Sequence, residues 1–215
     1  MRSGQPKGHP LLRMTFKSRI IFVGIGLLAF AVYISTLAPS ITWRNNGADS
    51  GDLATAVAVE GIPHPPGYPT YLILGEAFKL LPFGDIAYRL NLLSATSAAL
   101  TVTLMAGIIY HTLSATSQGQ IPPKEPAKTR RLMLSCAGST ALVLAFSSTF
   151  WSQAVIAEVY ALNGLFVALL LYGVLQVNFT NQRWLAPGLL GLLGLSLGGC
   201  ISPANCETDS FADWY

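Results

Sequence analysis

Long uncharged stretches alternate with short polar ones along this chain, and that pattern predicts its elements. Residues 20–38 run for 19 positions without a charge. A run of that length crosses the hydrocarbon core as a helix, because only intrahelical bonding satisfies the backbone in lipid. Residues 90–113 form a second charge-free run, with small side chains at Ser94, Ala95, Ser97, Ala98 and Ala99 that permit close helix packing. Further spans are expected over 132–150, 162–177 and 185–201. A cleaved signal peptide competes for the first run, but its apolar region is usually about 7–15 residues, so an anchor is the expectation.

Between the first two runs lies a polar region that concentrates the chain's acids. Residues 45–91 hold five of the ten Asp and Glu. Asp49 or Ser50 is placed to cap a short helix over 51–60, where Leu53, Val57 and Glu60 keep helical spacing and Gly61 stops it. His64-Pro65-Pro66-Gly67-Tyr68-Pro69 is not helical, since its prolines fix φ, remove donors and push the preceding residues to extended backbone. Residues 70–81 are apolar but carry Glu76 and Lys79 and are too short to span. They predict an interfacial or re-entrant amphipathic helix, and Pro82-Phe83-Gly84-Asp85 a turn.

Composition supports the membrane reading: 52% of residues are hydrophobic and 11% charged, against about a quarter charged in soluble domains. The fold class is an all-α polytopic membrane helix bundle with an extracytoplasmic first loop and juxtamembrane helices. Basic residues orient it. Residues 1–19 hold five Lys and Arg and 114–131 hold four, whereas 39–67 hold only Arg44 and 151–161 none. The N-terminus and the 114–131 loop are therefore expected in the cytoplasm, and the 39–89 loop and Glu158 on the extracytoplasmic face. The chain divides into a basic cytoplasmic tail (1–19), a membrane domain (20–201) and an atypical tail (202–215) that reads as a truncated or frame-shifted end. Either a bacterial plasma membrane or the endoplasmic reticulum fits. No basic patch is interleaved with aromatics, which argues against nucleic acid as a partner. The sequon Asn178-Phe179-Thr180 falls on the cytoplasmic side. Cys136, Cys200 and Cys206 lack metal-ligand spacing and are expected as free thiols, with a Cys200–Cys206 bridge as the alternative.

Two features carry candidate chemistry. Asp49 and Asp52 are three apart, so at a helix start they face one side. One carboxylate can take a proton from an attacking hydroxyl while the other orients it or binds a cation; a capping box is the plainer reading. Glu158 is the only charge between Arg131 and Arg183. An acid flanked by apolar residues is a functional candidate, unless it merely sits hydrated beside Trp151 and Tyr160. His64 could donate to a phosphate or sugar. Arg89 and Lys79, at the extracytoplasmic end of the second span, could bind a lipid phosphate, although Lys79 reads better as snorkelling.

Several motifs recur together in a known family. They are Asp49-Ser50-Gly51-Asp52-Leu53, Gly61-Ile62-Pro63-His64-Pro65-Pro66-Gly67-Tyr68-Pro69, Leu81-Pro82-Phe83-Gly84, Ala87-Tyr88-Arg89-Leu90-Asn91-Leu92 and Ala157-Glu158-Val159-Tyr160-Ala161-Leu162-Asn163. Over about residues 20–198 the chain resembles the GT-C-type protein O-mannosyltransferases, polytopic membrane enzymes with more spans than are visible here. The resemblance implies a GT-C-like bundle and transfer of a sugar, mannose, from dolichyl- or undecaprenyl-phosphate to a Ser or Thr hydroxyl of an acceptor protein, with inversion. It implies Asp49 as the base with Asp52 as the other candidate, and His64, Tyr68, Arg89 and Glu158 as substrate-binding residues. No protein metal ligands are implied, though a divalent cation is compatible with the chemistry. The competing classes are a transporter fragment, which would place ionisable groups near the midplane, and a non-catalytic assembly subunit.

Overall fold

A computed structural model of the protein describes residues 14–117, 126–180 and 186–198. All regular structure among them is helical: α1 (Phe16–Ser35), α2 (Ser50–Val59), α3 (Pro69–Lys79), α4 (Ile86–Thr116), α5 (Pro126–Ala145), α6 (Ser148–Ala154), α7 (Val159–Thr180) and α8 (Ala186–Gly198), with a 3₁₀ turn at Arg44–Asn46 before α2. Among the described residues α1, α4 and Val159–Gln176 of α7 are long and apolar enough to span a membrane, and α5 with α6 makes a fourth if that bent pair is one span. The protein is an integral membrane helix bundle.

Helix α4 is the centre, with α1, α5 and α7 packed around it. Ala95, Ala98, Val102 and Ala106 are wholly buried along it, and Ala137, Ala141 and Ala145 form the matching stripe on α5. Small residues let backbones approach closely where lipid removes the hydrophobic drive between helices. Helix α1 runs antiparallel to α4: Gly26 meets Ala99 and Thr103, and Phe22 meets Tyr110 with ring centres 5.8 Å apart. Helix α7 runs parallel to α4, with Glu158 near Ser94 and Tyr172 near His111. Hydroxyls inside the bundle are satisfied locally, as where Ser97, Thr101 and Ser114 each donate to the carbonyl four residues back at 2.8 Å. The Tyr33 hydroxyl instead crosses to the Ala145 carbonyl at 2.9 Å.

A second apolar cluster seats the short helices at one end. Leu53 and Val57 of α2, Tyr71 of α3, Leu90 and Leu93 of α4, Ala157 just before α7 and Leu162 within it are buried together. Gly75 lets α3 lie on this cluster, since a Cβ there would stand 2.8 Å from a Val57 methyl. As expected, α3 is too short to span.

Several boundaries differ from the sequence expectation. The run at 132–150 is not one straight helix: α5 ends at Ala145 and α6 departs at 65°. The break lies at Ser147, whose backbone is extended (ψ 140°) and whose hydroxyl donates back to the Leu144 carbonyl. Helix α1 begins earlier than residue 20, because Thr15 caps it by accepting from the Ser18 N–H. It ends before residue 38, because the Ala38 N–H turns to the Val155 carbonyl at 3.0 Å. Helix α4 starts at Ile86 on a side-chain cap from Asp85 to the Tyr88 N–H. Of the expected fifth span the described part is the 13 residues of α8. Cys136 is free and exposed; Cys200, Cys206 and the 202–215 tail lie outside the described residues.

The packing makes Gly26 a sharp test of the α1–α4 contact. A Cβ at Gly26 would lie 1.9 Å from Thr103 Oγ1 and 3.0 Å from the Ala99 carbonyl, whereas Gly24 has nothing within 4 Å. Gly26→Val is expected to cost about 1–3 kcal/mol and to lower the thermal midpoint in detergent. Gly24→Val is expected to leave that midpoint nearly unchanged.

Candidate active site

The site is assembled where α2 begins. Asp49 occupies the N-cap position of α2, but its backbone is helical (φ −84°, ψ −11°) and its side chain caps nothing. The capping reading is therefore corrected: an extended cap residue aims its oxygen at the first-turn amides, and Asp49 aims elsewhere. Nor does Ser50 cap, because its hydroxyl donates to the Ala157 carbonyl at 2.9 Å. Helix α2 ends at a left-handed Glu60 (φ 56°), followed by Gly61, whose N–H bonds the Ala56 carbonyl.

The Pro-rich loop brings His64 back over the start of α2. Its backbone N–H donates to Asp52 Oδ2 at 2.9 Å, and its Nδ1 lies 2.6 Å from the same oxygen. Nε2 on the other side of the ring is 3.7 Å from Asp49 Oδ2. The imidazole thus stands between the two carboxylates. Tyr68, left-handed at φ 42° and first before α3, sets its ring edge-on to His64 at 5.6 Å.

Glu158 completes the cluster from the opposite direction. It is 1% exposed, and its Oε1 accepts the Asp49 N–H at 3.3 Å. Its backbone carbonyl accepts the Ser94 hydroxyl, also at 3.3 Å. So Asp49, Asp52, His64 and Glu158, spread over 110 positions of sequence, meet at one end of the bundle. The plainer reading of Glu158, a hydrated interfacial acid, does not hold.

Electrostatics separates these acids. Burial pushes the Glu158 carboxyl up to about 7, and the Asp49 charge adds to the rise; the Asp49 N–H and His64 pull it back. Asp52 is lowered by its two bonds from His64, backbone first. His64 is raised, first by its bond to Asp52 and then by the charges of Asp49, Asp52 and Glu158. Acids whose environments pull them apart in this way suit different proton-transfer roles.

Arg89 stands apart from the cluster. Its guanidinium donates to the carbonyls of Lys79, Phe83 and Gly84, closing the turn between α3 and α4. Lys79 donates to the Val57 carbonyl at 2.9 Å and pairs with Glu76 and Glu60, which ties α3 to the end of α2.

The sequence reading missed Tyr71 and assigned Ser94 only to packing. Tyr71 is buried on α3, and its hydroxyl lies by Ser94 and within reach of the Glu158 charge, without a hydrogen bond of standard geometry. Burial raises its pKa. The available signal was the helical spacing of Tyr68, Tyr71 and Gly75 on one face of α3. Among the described residues no group of three or more His, Cys, Asp and Glu has the geometry to hold a metal ion. Both aspartates face the His64 ring.

A polytopic helix bundle with a cluster of acids and a histidine at one end, built from its first loop and the approach to a later span, defines a membrane protein of the kind that works at the lipid–water boundary. Residues 49–200 match the family described as the protein O-mannosyl-transferase TMEM260 N-terminal domain, and the chain belongs to that family. It is 36% identical over 150 residues to the mouse protein named protein O-mannosyl-transferase TMEM260, covering 69% of this chain and 18% of that protein. A Dictyostelium discoideum protein of the same name is 24% identical over 160 residues, covering 71% of this chain and 17% of the relative. The matched segment thus spans less than a fifth of each curated relative's length. No solved structure matches the chain.

The buried acid predicts a pH-dependent stability. Glu158 is raised from 4.5 to about 7 in the folded protein. Below pH 4.5 it is protonated whether folded or not, and its full contribution is present. As pH rises through about 7 it must ionise in its buried place, and that contribution is lost, with an upper bound of roughly 3 kcal/mol. Glu158→Gln is expected to flatten the fall in thermal midpoint between pH 4.5 and 8. His64 titrates in the same direction, so the comparison is made in a His64→Asn background.

Proposed function

We propose that the protein is a membrane glycosyltransferase. It moves a sugar, mannose, from a polyprenyl-phosphate donor to a Ser or Thr hydroxyl of an extracytoplasmic protein, with inversion at C1. The meeting of Asp49, Asp52, His64 and Glu158 in one cluster carries this reading. The names of the relatives supply the reaction class and the sugar, and the bilayer supplies a lateral path for a lipid-linked donor, dolichyl- or undecaprenyl-phosphate mannose. In this reading the cluster lies on the extracytoplasmic side, with the N-terminus in the cytoplasm of a bacterial cell or of a cell with an endoplasmic reticulum.

In this scheme Asp49 is the base. Its carboxylate is partly exposed and caps no helix. The acceptor oxygen forms its bond to C1 as the C1–O bond to phosphate breaks. The hydroxyl proton passes to Asp49, and the electron pair leaves with the polyprenyl phosphate. Asp52 acts through His64: it fixes the ring and keeps it cationic, so that Nε2 stabilises an ionised Asp49. Glu158 holds the Asp49 backbone, and in its protonated form it adds no second negative charge beside the base. A transporter would hold such groups near the midplane, whereas here they gather at one end of the bundle.

With full-length protein and lipid-linked mannose, Asp49→Asn is expected to lower turnover about 10²–10⁴-fold without moving the thermal midpoint. Asp52→Asn is expected to lower it less and to shift the alkaline limb of the pH–rate profile downward, because His64 then loses its proton more easily. Unchanged turnover in Asp49→Asn would remove the base from the scheme.

A further inference from the structure

A cavity of about 560 Å³ opens between the C-terminus of α1, the segment leading to the 3₁₀ turn, and α6. Its walls are apolar at Leu37, Pro39, Trp151 and Ile156, and it carries one cation, Arg44. The cavity is held in shape from both sides. Trp151 Nε1–H donates to Thr36 Oγ1 at 3.0 Å, and Gln153 Nε2–H donates to the Asn45 carbonyl at 3.1 Å. Gly47 makes the turn out of it, since a Cβ there would stand 2.4 Å from the Thr42 carbonyl.

Arg44 differs from Arg89 and Lys79. The donors of Arg89 are occupied by three carbonyls, and Lys79 is bound by carbonyls and two glutamates. The Arg44 guanidinium has no hydrogen-bond or ion-pair partner among the described residues; only its backbone is bonded, its N–H to Thr42 Oγ1 at 3.1 Å and its carbonyl to the Gly47 N–H at 3.1 Å. A forked, permanently charged donor set left open in an apolar-walled cavity fits a phosphate that carries a hydrocarbon chain. A volume of this size is within the range of small-molecule sites. The cavity also adjoins the acids along the chain: Ile156 lines it and Glu158 is two residues on, while Asn45 lines it and Asp49 is four residues on.

We propose that this cavity seats the phosphate and first isoprene units of the lipid-linked donor, with Arg44 as the phosphate ligand. This assignment rests on the glycosyl-transfer reading above. The same chemistry could come from the headgroup of an anionic bilayer lipid, so the test separates the two.

The probe is a short-chain polyprenyl phosphate bearing a benzophenone, added to the full-length protein in phosphatidylcholine nanodiscs. Crosslinks are expected on residues 36–45 and 148–156. Arg44→Ala is expected to weaken labelling at least about tenfold, the scale of a lost charge-assisted contact. Ser152→Phe, which fills the cavity and leaves Arg44 in place, is expected to do the same. Asp49→Asn is expected to leave labelling intact. Unlabelled polyprenyl phosphate should compete, and inorganic phosphate and phosphatidylglycerol should not. Undiminished labelling in both cavity variants overturns the assignment, and so does equal competition by phosphatidylglycerol, which makes the cavity a bilayer-lipid site. If the cavity labels as expected but the protein transfers no sugar from lipid-linked mannose, the transferase reading falls and the phosphate site stands. If turnover is normal in Arg44→Ala, the reverse holds.

Discussion

Glu158 sits where a carboxylate is expensive, almost wholly withdrawn from water beside a membrane span. Residues 155–158 are not helical, so their backbone groups need partners from elsewhere. They find them on three other segments. The Val155 carbonyl takes the Ala38 N–H from the end of α1, the Ala157 carbonyl takes the Ser50 hydroxyl from α2, and the Glu158 carbonyl takes the Ser94 hydroxyl from α4. The Glu158 side chain then holds the Asp49 amide. One unwound stretch before α7 thereby fixes the first loop, and the first loop carries the aspartates. The position of the acids follows from satisfying a backbone that cannot turn to water.

Helix α4 makes that junction rigid. Its 31 residues rise roughly 46 Å at about 1.5 Å each, longer than a hydrocarbon core of about 30 Å. The excess lets the Asp85 and Arg89 end stand clear of the lipid, where Arg89 closes the turn from α3 and Asp85 caps the helix. Asn91, one turn further in, donates to the Ala38 carbonyl at 2.8 Å and to the Ser40 carbonyl at 3.3 Å. The same helix that packs α1, α5 and α7 through alanines therefore also carries the polar groups that anchor the first loop.

Much of this was legible in the sequence, and the failures have physical causes. Charge-free runs of span length revealed the bundle, because lipid leaves a helix few alternatives. The amphipathic 70–81 stretch revealed α3 through Glu76, Lys79 and its being too short to span. Asp49 and Asp52 were visible as a pair, and Glu158 as a lone acid. What spacing could not show was what Asp49 does with its side chain: cap and free carboxylate share one sequence pattern, and the backbone angle at residue 49 decides between them. The break at Ser147 was hidden because Ser and Thr are tolerated inside apolar helices. Arg89 was attractive as a phosphate ligand for its position, and only its three carbonyl partners show how its donors are engaged. Tyr71 was passed over, despite its helical spacing from Tyr68 and Gly75, because an aromatic on an apolar face reads as core.

The proposed reaction places a demand on where charge may stand. In an inverting displacement the attacking oxygen and the departing phosphate lie on opposite sides of C1, so base and phosphate ligand cannot share one cluster. His64, between Asp49 and Asp52, supplies positive charge on the base's side, and the phosphate needs its own cation on the other. The fold meets this demand through the 155–158 segment. Val155 and Ile156 form part of the wall around Arg44, and Glu158 reaches the acid cluster. The backbone bends through residues 155–157 rather than continuing as a helix, so that Val155 and Ile156 line the cavity while Glu158 reaches Asp49. In the proposed reaction, unwinding the chain before α7 separates the proton acceptor from the leaving group.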